Sequence, residues 1–186
     1  MATRNDSLVR HLICIALMLQ SPDIFADWRE AVPNAHLLGS GDMRVFGFSV
    51  YSAQFWSPRL IAGEPLVADA PFALELTYSR AISRDDLVEA SIKEIRRLSP
   101  YGLNSDLMGR WEREMQHAFV NVRAGDRITG VYVPGEGVRF YFGDNLRRVV
   151  RDEAFAKAFF AIWLDPRTRN PELRAQLLGG SKPRGR

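Results

Sequence analysis

Cysteine is almost absent: Cys14 is the only one in the 186 residues, and it lies inside the first apolar run. If that run is a leader, the mature chain holds no internal disulfide, and a cysteine-free protein suits an oxidising compartment. Histidine is scarce too. Beyond that run only His36 and His117 occur, neither with a Cys, His or carboxylate at ligand spacing, so there is no metal-site signature. No G-x-S-x-G is present, which removes the serine elbow. Gly39-Ser40-Gly41 precedes a strand and lacks the lysine and following helix of a phosphate loop, so it reads as a turn and implies no cofactor. Excess charge is also missing. The net charge is +3, and the tail alone carries Lys182, Arg184 and Arg186, so residues 1–181 sum to zero. Only Arg147, Arg148 and Arg151 cluster elsewhere; they read as a solvated strand end, and no nucleic acid is expected as a partner.

What is present suits one domain. A chain of this length buries roughly 70% of its unfolded surface, enough for a core without staples. Residues 1–26 stand apart. Arg4 and Arg10 precede Leu12-Ile13-Cys14-Ile15-Ala16-Leu17-Met18-Leu19, followed by Gln20-Ser21-Pro22 and Ala26. That is the order of a secretory signal. The run is too short to span a bilayer, so no stable membrane anchor is expected after its removal. The alternative is a retained amphipathic helix. The expected organisation is a signal at 1–26, a domain at 27–180 and a basic disordered tail at 181–186, in a periplasmic or secreted protein, or a cytoplasmic one if the segment is retained.

Periodicity lays out the domain. Residues 37–56 read as a strand pair, with Phe46, Phe48 and Val50 alternating onto one face and Tyr51, Ala53 and Phe55 onto the other. Both faces are apolar, so both are expected to be covered. Residues 59–71 form a loop, and Phe72–Tyr78 is the cleanest strand. Ser83 with Asp86 opens a helix ending at Ser99-Pro100, and a second runs from Asn104 through Phe119. A three-strand meander occupies 128–150, joined by turns at Pro134–Gly137 and Gly143–Asn145. Asp152 caps a buried helix stopped by Asp165-Pro166, and Asn170-Pro171-Glu172 starts the last, stopped by Gly179-Gly180. The order gives an α+β fold, an antiparallel sheet with helices mostly on one face.

The remaining chemistry is a set of polar groups on apolar strands: Arg44, Tyr51, Glu75, Tyr78 and Arg80. An arginine beside tyrosines at a pocket between sheet and helices can hold a carboxylate or enolate oxygen. The bland reading makes them residues of a wet strand face, with Glu75 and Arg80 mere surface charge.

Several phrases carry a family resemblance: Leu38-Gly39-Ser40-Gly41 leading into Arg44-Val45-Phe46-Gly47-Phe48-Ser49-Val50-Tyr51, then Leu74-Glu75-Leu76-Thr77-Tyr78, then Gly125-Asp126-Arg127-Ile128. The most specific is Phe155-Ala156-Lys157-Ala158-Phe159-Phe160-Ala161-Ile162-Trp163-Leu164-Asp165-Pro166, with Leu173-Arg174 after it. Over about residues 28–179 the chain resembles the bacterial branch of the chalcone isomerase-like family. The resemblance implies an open-faced antiparallel β-sheet with a helical layer on one face, and a cleft between them. It does not bring the isomerase activity. The family's catalytic tyrosine, at the start of the helix after the third strand, falls at about Leu87, and a leucine cannot donate a proton. The family arginine on the first hairpin corresponds to Arg44. Related plant proteins hold a fatty acid carboxylate with an arginine and a tyrosine, and that tyrosine position falls near Phe46 or Gly47.

Three functions follow as expectations. The first is a non-catalytic, exported protein binding a small apolar or fatty acid, with Arg44 as anion anchor and Tyr51 or Tyr78 nearby. The second is an isomerase or lyase on the same scaffold. The third is an interaction module using the sheet's exposed face.

Overall fold

The computed structural model describes residues 27–59, 70–99 and 103–180. The expected signal at 1–26, most of the loop at 59–71, Pro100 and the tail at 181–186 lie outside the described residues. The elements run α1 (Trp28–Ala31), β1 (His36–Val45), β2 (Phe48–Ser57), β3 (Phe72–Tyr78), α2 (Arg84–Leu98), α3 (Ser105–Ala118), β4 (Arg127–Val133), β5 (Gly137–Phe142), β6 (Asn145–Val150), α4 (Glu153–Leu164) and α5 (Pro171–Leu177). The six strands form one antiparallel sheet in chain order, with α2 and α3 inserted between β3 and β4.

Alternation along the strands decides the layers. Phe72, Leu74, Leu76 and Tyr78 of β3, Ile128 and Tyr132 of β4 and Val138 and Phe140 of β5 face the helices and join the main core. From above, α4 contributes Phe155, Phe159, Phe160 and Trp163, and α3 contributes Met108, Trp111 and Met115. Gly130 lets α4 approach, since a Cβ there would lie 3.3 Å from the Phe160 ring. Local sequence starts the helices as expected. The Ser83 hydroxyl accepts from the Asp86 amide at 3.1 Å, Asn104 from Asp106 at 2.7 Å, and Asp152 from Phe155 at 2.9 Å. At α5 the cap is diverted, because the Asn170 side chain makes no cap bond and its amide is directed at the Met43 sulfur.

The opposite face is partly covered. Ala73, Val131 and Tyr141, at the alternate positions, pack with Trp28 and Val32 around the short α1, and Arg29 lies over the Trp28 ring at 4.4 Å. This four-residue helix offers no periodicity to read, and sequence patterning passes it by.

Two expectations change. Gly39-Ser40-Gly41 is no turn; it lies inside β1. A Cβ on Gly39 would sit 1.9 Å from the Gln176 carbonyl oxygen, and one on Gly41 would meet the Gln176 and Leu173 side chains, so these glycines clear the path for α5. The hairpin is also not covered on both faces. Ala53 and Phe55 are fully buried, but Phe46 and Phe48 are exposed, because the β1–β2 tip runs out beyond the helical layer.

Candidate functional site

Near that end of the sheet the register groups three side chains. Met43 on β1 lies opposite Tyr51 on β2, and Tyr51 opposite Tyr78 on β3, so all three share the helix-facing side. The two tyrosine rings meet edge-on with centroids 6.0 Å apart. Above them α4 brings Trp163, whose Nε1–H donates to the Tyr51 hydroxyl at 2.9 Å. Met43, Tyr51, Ile162, Trp163 and Leu173 line a cleft of about 140 Å³. Its polar members are Glu94 from α2 and Thr168, Arg169 and Asn170 from the α4–α5 connection.

The charges at this rim are tied together. One oxygen of Glu94 pairs with Arg97 at 2.8 Å and the other with Arg169 at 2.6 Å. Arg97 also donates to the Arg167 carbonyl at 2.9 Å, which ties α2 to the connection. The Glu94 side chain is 19% exposed and that of Arg169 is 61% exposed, so the carboxylate is satisfied by two cations while Arg169 still faces solvent.

The tyrosines are held in their neutral form. Although part of the Tyr51 ring is accessible, its hydroxyl is enclosed, and burial pushes its pKa up to about 12 against a smaller opposing effect of the Trp163 bond. Tyr78 is raised further, by burial first and by the neighbouring Tyr51 second. Both are therefore protonated at neutral pH. They can donate hydrogen bonds, and neither is poised as a base.

Of the residues picked from sequence, Tyr51 and Tyr78 come together and Arg44 does not join them. The Arg44 side chain is 62% exposed, 3.9 Å from Asp42. It lines a separate open hollow of about 580 Å³ with Glu172 and Gln176 of α5. Glu75 and Arg80 are not a surface pair. Glu75 is buried on the opposite face of the sheet, 3.6 Å from Arg127 and accepting from Thr129 at 3.3 Å, while Arg80 is exposed. The residues that sequence reasoning missed are Trp163, read only as core, and Glu94 and Arg169, which share the cleft with Tyr51 only through the fold. Among the described residues no group of three or more His, Cys, Asp or Glu could hold a metal ion, and no helix is long and apolar enough to cross a membrane.

Comparison with known proteins fits this architecture. The family model described as chalcone isomerase-like matches residues 32–179. The chain belongs to the chalcone isomerase-like family. No curated protein matches it. Among solved structures, a fatty-acid binding protein from Arabidopsis thaliana aligns at 14% identity with a TM-score of 0.62, covering 79% of this chain and 88% of that one. At that identity the likeness carries the fold. Within this chalcone isomerase-like chain, Leu87 lies in the first turn of α2, partly buried against the core, and a leucine there supplies no proton donor. Phe46, at the hairpin tip, is 98% exposed and lines none of the cleft.

Proposed function

We propose that this chain binds a small apolar carboxylic acid, fatty acids being the leading class, and performs no chemistry on it. The observation that carries the reading is the Tyr51–Trp163 pair in an apolar cleft whose rim holds an arginine. Tyr51 accepts the indole proton, which leaves its own to give to a ligand oxygen. The Arg169 guanidinium can share its fork between Glu94 and an incoming carboxylate, the anchoring role that sequence suggested for Arg44. Met43, Ile162 and Leu173 offer hydrocarbon surface.

Size limits the ligand. A volume of about 140 Å³ lies below the roughly 300–1,000 Å³ of ordinary small-molecule sites. The cleft suits a small acid, or the head and first carbons of a chain whose remainder requires the α4–α5 connection to move aside. The fatty-acid binding of a structurally similar plant protein supports the ligand class. A catalytic reading has less support: both tyrosines stay protonated, and the cleft's carboxylate is bound by two arginines.

Isothermal titration calorimetry with decanoate and with a small aromatic acid tests the reading. Arg169→Ala is expected to weaken binding by about 10-fold or more, the worth of a hydrogen bond to a charged group, and Arg44→Ala to bind as the wild type does. If neither acid binds, the reading fails. A loss confined to Arg44→Ala returns the anchor to the first hairpin.

We also infer that residues 1–26 direct export to the periplasm or beyond, from their order of charge, apolar run and small residue. The intact mass of protein recovered from its own host decides: removal of about 26 residues supports export, and the full mass in the cytosol overturns it.

A further inference from the structure

The β1–β2 hairpin ends in aromatic residues that the described residues leave exposed. Phe46 is 98% exposed, Phe48 71% and Val45 43%. Phe46 has φ +49° and Gly47 φ +83°. Two successive left-handed residues make the two-residue turn that hairpins prefer, and that turn favours Asn-Gly. A phenylalanine in this conformation carries backbone strain, and at this exposure it regains nothing by burial. Two local rules broken at one residue point to a use outside folding.

The surroundings indicate the partner. Behind the tip, Val45 and Val50 border an open hollow walled by Arg80 and Arg123. Both arginines are exposed and have no ion pair among the described residues. The carboxylates close by bond to neutral donors and leave both guanidinium groups unpaired: Asp86, in the same hollow, accepts from the Ser83 hydroxyl at 2.6 Å, and Asp126 accepts from the Arg123 amide at 2.8 Å. Two phenylalanines at about 200 Å² each amount to half of the roughly 800 Å² that each partner of a stable protein interface buries. A bilayer needs no such area and no complementary shape. It accepts an aromatic wedge at the acyl boundary while cations rest among the phosphates.

We propose that the hairpin tip docks on a lipid bilayer surface bearing anionic headgroups. Phe46 and Phe48 enter the boundary, and Arg80 and Arg123 lie against the headgroups. The proposal stands apart from the cleft, and either can fail without the other.

Flotation of the full chain with vesicles of phosphatidylcholine, alone or mixed with phosphatidylglycerol, tests it. Binding is expected to the mixed vesicles and to weaken with salt, each arginine contributing about fivefold. The decisive variant is Phe46→Asn, which supplies the dipeptide that the turn favours. It should lose at least about tenfold in vesicle binding, as expected for removing one fully buried aromatic side chain, while its melting midpoint holds or rises. Every variant carries the same residues 1–26, so the differences read the tip alone. Equal binding by Phe46→Asn, or no binding by the wild type, overturns the proposal. So does a fall in melting midpoint, which would make Phe46 a folding residue, or a wild-type dimer in light scattering that Phe46→Asn abolishes, which would make the tip a contact between copies.

Discussion

The Trp163 indole donates to the Tyr51 hydroxyl at 2.9 Å, joining α4 to β2 across 112 residues of chain. Removing the acceptor alone strands a buried N–H. Tyr51→Phe should therefore cost about 1–2 kcal/mol, a fall of roughly 2–4 °C in Tm per kcal/mol for a domain of this size. Trp163→Phe should couple to it by about 1 kcal/mol in a double-mutant cycle. Additive effects would mean that the bond contributes nothing beyond the packing of the two rings.

The same burial sets a ceiling on alkaline stability. Tyr51 is raised from 10.0 to about 12, and Tyr78 lies higher still. The raised folded value means that the native state keeps a proton which the unfolded chain gives up. The stabilising contribution is thus complete below about pH 10 and is lost as pH climbs through the folded values, at about 1.4 kcal/mol per pH unit for each tyrosine. Tyrosinate absorbance should show these two groups titrating only with unfolding. Reversible titration of all five tyrosines near pH 10 in the native protein would refute the enclosure of both hydroxyls.

Much of this architecture was legible because it is written locally. Ser83, Asn104 and Asp152 announce their helices within three residues, and the alternation of Phe72 through Tyr78 declares which side of β3 faces the core. What sequence could not supply is set by distant partners. The glycines of β1 look like turn glycines because a tight turn and a close approach both demand a missing side chain, and only α5 tells them apart. Apolar alternation from Phe46 to Val50 says nothing of where the helical layer stops. Tyr51 and Tyr78 could be singled out as polar groups on apolar strands, whereas their ring contact rests on strand register and Arg169 joins Tyr51 at the cleft only after α4 and α5 have packed.

Gly39 offers a direct test of that close approach. Its added Cβ would meet the main-chain oxygens of Gln176 and Leu177 at 1.9 and 2.6 Å, and backbone cannot rotate aside as a side chain can. Gly39→Ala should cost about 1–3 kcal/mol and loosen α5, read as faster amide exchange over Pro171–Leu177. Gly125→Ala is the contrast. It meets open space but holds φ +90°, so its smaller cost, about 1 kcal/mol, should leave α5 exchange unchanged. Equal exchange in both variants would remove the argument for β1 as the seat of α5.

On the opposite sheet face, Glu75 keeps only 6% of its side chain exposed and relies on Arg127 at 3.6 Å and Thr129 at 3.3 Å. Removing the cation leaves a buried carboxylate with one weak donor, so Arg127→Met should destabilise the protein by about 2–4 kcal/mol. The variant with both Arg127→Met and Glu75→Met should recover most of that loss, because it removes the stranded carboxylate, while the exposed Asp144 contact of Arg127 at 3.1 Å is lost in both variants and is worth little. Urea denaturation of the three proteins measures both steps. If the double variant is as unstable as the single one, the penalty comes from lost packing of the long Arg127 stem and not from a stranded charge, and Glu75 would then be held chiefly by Thr129.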